Sequence, residues 1–131
     1  MNGTQMPRPI GQRVLVIEDE AIVAMLLEDM LIDMGYEVVG TVGQFDQAVR
    51  AIDDTACDFV ILDVNLDGKE TYPLADMLAA RGVPFIFATG YGALGLKNGW
   101  RDFPVLEKPF QQRDLEGAVN RIAQFPWPAS T

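Results

Sequence analysis

The chain contains no histidine. That absence removes the usual general base, any Ser-His-Asp triad and most transition-metal sites. A single cysteine, Cys57, excludes an internal disulfide and a CxxC zinc site. It precedes an apolar run and is expected to be a buried, inert thiol. No apolar stretch is long enough to span a bilayer. The opening segment MNGTQMPRPIGQ has no apolar signal core, so a cytoplasmic protein without a membrane partner is expected. Positive charge is scarce too: ten Lys and Arg stand against nineteen Asp and Glu, for a net charge of −9. Such a surface repels a phosphate backbone, which argues against nucleic-acid binding. A basic partner or a bound cation suits it better.

What is present suits one folded domain. The 131 residues are 49% hydrophobic, enough for a single core. Residues 1–12 read as a polar tail, 13–125 as the domain and 126–131 as a second tail. The start at Met1 and the short tails lead to the expectation of an independent protein without an output domain. Arg13 to Asp19 is a short β-branched run and predicts a buried strand. From Glu20, Val23, Leu26, Leu27, Met30, Leu31 and Met34 fall on one helical stripe, which Gly35 ends. Met25, Met30 and Met34 are read as core filler. Glu37 to Val42 predicts a second strand, and Phe45 to Asp54 a helix with Phe45, Ala48, Val49 and Ile52 inward. DFVILDV is a third strand, Tyr72 to Arg81 a third helix and Val83 to Gly90 a fourth strand. Gly92, Gly95 and Gly99 leave at most a short frayed helix after it. FPVLEK is a fifth strand. A last helix, Gln111 to Phe125, turns Leu115, Ala118, Val119, Ile122 and Phe125 inward. Trp100 and Trp127 receive no role.

Alternating strands and helices imply parallel strands joined by right-handed crossovers. Near-continuous apolar strands imply a sheet covered on both faces. The expected architecture is a five-stranded, doubly wound α/β fold. Sites in such folds lie beyond the carboxyl ends of the strands. There the sequence places Glu18-Asp19, Asp63, Thr89 and Glu107-Lys108. Gathered carboxylates repel one another. A hard divalent cation such as Mg²⁺ would relieve that, and no His or Cys is placed to favour zinc. Lys108 can pair with the remaining charge. A carboxylate nucleophile, a cation, a lysine and a hydroxyl make a phosphoryl-transfer set.

The motifs VLVIEDE, VILDVNL, FATG and LEKPF resemble, in order and spacing, the receiver domain of two-component response regulators. The resemblance implies a flavodoxin-like receiver fold. It implies that Asp63 is the phosphoacceptor and that Glu18 and Asp19 form the acidic pocket, Asp19 as a direct Mg²⁺ ligand. Asn65 would lend its backbone carbonyl to the metal, and Thr89 and Lys108 would sense the phosphoryl group. Pro109 resembles the proline that follows this lysine in cis. PFIFATGYG is similar to the PFxFATGY subclass of stand-alone receivers, which work with histidine kinases of the HWE and related types. Lacking histidine, the chain is expected to take its phosphoryl group from a sensor histidine kinase or a phosphotransfer protein. It would act by protein contact or phosphorelay, as a phosphoacceptor that loses its own phosphoryl group rather than a turnover enzyme.

Two positions depart from the family pattern. Val105 stands where an aromatic residue is usual, so Tyr91 is a candidate to take its part, against a merely packed tyrosine. Asp67 stands where a proline is usual, and with Gly68 it makes an Asp-Gly turn. Two other functions compete. A haloacid-dehalogenase-like phosphatase needs a second Asp two residues after its nucleophile, where this chain has Asn65, and needs room for a cap domain. A docking module that keeps only the fold would not need the set of polar residues.

Overall fold

The computed structural model describes residues 13–127. The expected tail 1–12 and residues 128–131 of the second tail lie outside the described residues. The elements are β1 Arg13–Ile17, α1 Ala21–Asp33, β2 Glu37–Val42, α2 Phe45–Asp54 and β3 Phe59–Asp63. A two-stranded ribbon follows, β4 Asn65–Leu66 and β5 Lys69–Glu70, then α3 Tyr72–Ala80 and β6 Phe85–Thr89. A 3₁₀ turn at Gly92–Gly95, β7 Val105–Glu107 and α4 Gln112–Gln124 complete the chain. The glycine-rich stretch thus holds one short turn of helix, as its composition predicts.

Five strands form a parallel sheet in the order β2-β1-β3-β6-β7. The doubly wound reading is correct. Successive side chains of a strand point to opposite faces, and the core divides accordingly. Val14, Val16, Phe59, Ile61 and Ile86 pack with Leu27 and Leu31 of α1 and with Leu115, Val119 and Ile122 of α4. Leu15, Ile17, Val60, Leu62, Phe85 and Phe87 pack with Ala48 and Ile52 of α2 and with Leu74 and Leu78 of α3. All five residues of β3 are buried, which explains its unbroken apolar run.

Two expectations for α1 need correction. Leu26 is 42% exposed and Met25 63% exposed, so neither is core. The sheet needs only the narrower stripe through Leu27 and Leu31, with Val23, Met30 and Met34 at its margin. Ile22 and Ile32 are exposed as well. Trp127, assigned to a tail by sequence, instead packs against Phe85 and Phe103. Its indole N–H donates to the Ile122 carbonyl at 2.8 Å. Trp100 joins the same cluster through Tyr72, Phe85, Phe87 and Phe103. Cys57 is half-buried, and burial pushes its thiol pKa up, away from reactivity. Among the described residues no helix is long and apolar enough to cross a membrane.

Candidate functional site

The chain runs outward from β1 to β2 on one side of the sheet and reaches β3 on the other. A crevice opens where that order reverses, at the carboxyl ends of β1 and β3. Glu18 and Asp19 follow β1, and Asp63 ends β3. Carboxylate oxygens of these three residues all lie within 4.8 Å of one another. Glu18 is 3% exposed, Asp63 is 7% exposed, and Asp19 stands at the open side.

Lys108 enters from the loop after β7, where the Lys108–Pro109 peptide is cis. Its Nζ lies 2.8 Å from Glu18 Oε1 and donates to Asp63 Oδ2 at 3.1 Å. Glu20 adds a more distant carboxylate at 3.7 Å. The contact to Glu18 is ionic rather than a well-directed hydrogen bond, and Oε1 is buried without a hydrogen-bond partner. Burial pushes the Glu18 pKa up to about 7, against the pull of Lys108 and the Glu20 N–H. For Lys108, burial lowers the pKa, but the Glu18 and Asp63 carboxylates outweigh it and the net direction is upward.

The backbone holds Asp63 in place. The Asn65 N–H donates to Asp63 Oδ1 at 3.1 Å. Thr71, fully buried, donates its hydroxyl to the Asp63 carbonyl. The Asn65 side-chain oxygen accepts the Gly68 N–H at 2.9 Å. That amide therefore closes a turn and offers no acid for a dehalogenase-type mechanism. Thr89 is buried at the end of β6, one residue beyond Ala88, the register partner of Asp63. Its hydroxyl oxygen accepts the Tyr91 N–H at 3.2 Å. Tyr91 is 81% exposed and Val105 is half-buried.

The structure thus brings Glu18, Asp19, Asp63 and Lys108 together, places Asn65 against Asp63, and sets Thr89 on the adjoining strand. It adds Thr71, Glu20 and the Asp67 N–H, which donates to Asp19 Oδ2 at 3.0 Å. Glu20 stood beside the acidic pair in VLVIEDE, but a lone buried threonine carries no signal in a sequence. Carboxylate oxygens alone make up this donor set, which fits a hard cation such as Mg²⁺ better than zinc.

The family model of the response regulator receiver domain matches residues 14–120. The transcriptional regulatory protein PdtaR of Mycobacterium tuberculosis is 32% identical over 130 residues, which are 93% of this chain and 63% of that protein. The chain therefore spans less than two thirds of that relative. Among solved structures, SdrG of Sphingomonas melonis Fr1 is 40% identical with a TM-score of 0.78, covering 85% of this chain and 95% of that one. The receiver domain of the sensor histidine kinase PA1611 of Pseudomonas aeruginosa PAO1 is 27% identical with a TM-score of 0.69, covering 88% and 99%. Its structure has a magnesium ion coordinated in the active-site cleft.

Proposed function

Given that the chain belongs to the response regulator receiver domain family, we propose that residues 13–125 act as a phosphoacceptor switch centred on Asp63. One observation carries this reading: three carboxylates from two strand ends share one pocket, and Lys108 bridges two of them. Glu18, Asp19, Asp63 and the Asn65 carbonyl would hold Mg²⁺. Bound there, Mg²⁺ supplies positive charge that offsets the oxygens of the transferring group.

The chain's own residues do the rest. An Asp63 carboxylate oxygen attacks the phosphorus of a phosphohistidine. The new P–O bond forms as the P–N bond breaks, and the leaving imidazole nitrogen keeps the electron pair and takes a proton. Lys108 then pairs with a phosphoryl oxygen in place of the Asp63 oxygen it now holds. Thr89 exchanges its bond from the Tyr91 N–H for donation to another phosphoryl oxygen. Later attack by water on phosphorus returns the carboxylate and inorganic phosphate. The chain is thus a phosphoacceptor that promotes its own gain and loss of the group, not a turnover enzyme.

No histidine lies within these 131 residues, which supports a sensor histidine kinase or a phosphotransfer protein as donor. The similarity of PFIFATGYG to the PFxFATGY receivers supports a kinase of the HWE or a related type. The setting is cytoplasmic. Ile22, Met25 and Leu26 lie exposed on α1 just after the acidic pair. A cleft of about 300 Å³ runs from Glu18 and Asp19 to Met25 and Glu28. An apolar surface beside the pocket suits a helix that presents the phosphohistidine. Output runs by protein contact or phosphorelay. The test is radiolabel transfer from a phosphorylated kinase to wild type and to Asp63→Asn. Label on the wild type alone is expected, and equal labelling defeats the reading.

A further inference from the structure

β4 and β5 pair antiparallel, Asn65 opposite Glu70 and Leu66 opposite Lys69. Only Asp67 and Gly68 remain to join them. Their φ angles are +52° and +83°, the sign pattern of the type I′ hairpin turn that Asp-Gly favours. Leu66 is fully buried and anchors one side, while the Gly68 N–H bonds to the Asn65 side chain. So fixed, the turn aims the Asp67 N–H at Asp19 Oδ2, 48 residues away in sequence and 3.0 Å away in space. Among the described residues it is the one hydrogen bond that the Asp19 carboxylate accepts.

We infer that the Asp67 backbone N–H is a positioning group for Asp19, holding one carboxylate oxygen so that the other faces the cation pocket. The inference rests on the reading of Asp19 as a Mg²⁺ ligand. An exposed aspartate otherwise samples several rotamers, and fixing one on cation binding costs entropy. A charge-assisted bond from a rigid turn settles the rotamer in advance. Ligating carboxylates elsewhere are held in the same way by groups behind them. Proline, usual at this place in the family, can do neither thing here. It has no N–H, and its φ near −65° cannot enter the turn. The ribbon, its positive-φ turn and the reach to Asp19 form one device.

The test is Mg²⁺ titration by calorimetry on wild type, Asp67→Gly, Asp67→Asn and Asp67→Pro, with thermal unfolding of each without metal. Gly and Asn keep the donor and tolerate positive φ, so both should bind Mg²⁺ as wild type does. Asp67→Pro should bind roughly tenfold more weakly. Unchanged affinity in a folded Asp67→Pro overturns the inference and leaves the phosphoacceptor reading intact. So does equal weakening in Asp67→Gly, which would place the effect in the side chain. A wild-type chain that binds no Mg²⁺ overturns both. Where Asp67→Pro does not fold, amide exchange decides. Exchange at Asp67 should quicken about tenfold in Asp19→Ala, the loss of one charge-assisted bond, and an unchanged rate overturns the inference.

Discussion

Lys108 and Asp63, 45 residues apart, meet at 3.1 Å between Nζ and Oδ2, and the same ammonium lies 2.8 Å from Glu18 Oε1. One cation therefore compensates two buried acids. Lys108→Met should leave both uncompensated and lower the stability of the metal-free chain by about 3 kcal/mol, the low end for breaking a buried pair. The same change should increase the thermal stabilisation that Mg²⁺ gives, because the ion then meets charge the lysine no longer offsets. Thermal unfolding with and without Mg²⁺ checks both. A metal-free Tm equal to wild type would show that Lys108 does not compensate these acids.

The Glu18 pKa near 7 makes metal-free stability depend on pH with an unusual sign. Between its ordinary 4.5 and about 7, the folded chain holds this proton more tightly than the unfolded chain. This contribution is complete below 4.5 and is lost as pH rises towards 7. Denaturant unfolding across that window should show stability falling with pH, and Glu18→Gln should flatten that part of the curve. An identical slope in the variant would assign the effect to other groups. Mg²⁺ needs the ionised carboxylate, so its stabilising effect should weaken as pH drops below 7.

The sequence was most legible where burial and chemistry conflict. A carboxylate closing the apolar run of β3 had to meet a partner, and Lys108 and the acidic pair were the candidates at the same edge of the sheet. Parallel strands under helices on both faces followed from the alternation of elements and the unbroken apolar runs. Less legible was whatever depends on how far each surface is covered. Met25 and Leu26 satisfy helical periodicity yet lie outside, because the sheet beneath α1 accommodates only the stripe through Leu27 and Leu31. Trp127 follows a proline and reads as tail, but its long-range ring contacts draw it in. Donors supplied by backbone, such as the Asp67 N–H, have no residue type to betray them. The Asp-Gly pair signalled a turn but not what its amide would reach.

Thr71 has no exposure, and its hydroxyl bonds to the carbonyl of Asp63, the proposed phosphoacceptor. Valine matches its shape without the hydroxyl. Thr71→Val should cost about 1–3 kcal/mol, since it leaves a buried carbonyl with one partner fewer. It should also loosen the segment from Val64 to Thr71 that links β3 to α3. Denaturant unfolding gives the first quantity, and amide exchange at Asn65 and Thr71 the second. A neutral substitution at both readouts would mean that water or another donor replaces the hydroxyl.

Gly95 approaches Thr89 more closely than any side chain allows. A Cβ added there would sit 2.9 Å from Thr89 Oγ1 and 2.7 Å from Tyr91 Cβ. Tyr91 Cβ is fixed by its backbone and cannot step aside cheaply, so Gly95→Ala must lift the 92–95 turn or turn Thr89. The sheet below is untouched, so Tm should fall only modestly, by the equivalent of about 1 kcal/mol. Phosphoryl chemistry should suffer more, because the displaced turn pulls the Tyr91 N–H from the Thr89 hydroxyl and changes where that hydroxyl can donate. Phosphotransfer and loss of label, compared with wild type at matched temperature, should change several-fold while global stability barely moves. If label uptake and decay both match wild type in a folded Gly95→Ala, the close packing of this turn on Thr89 has no part in the switch.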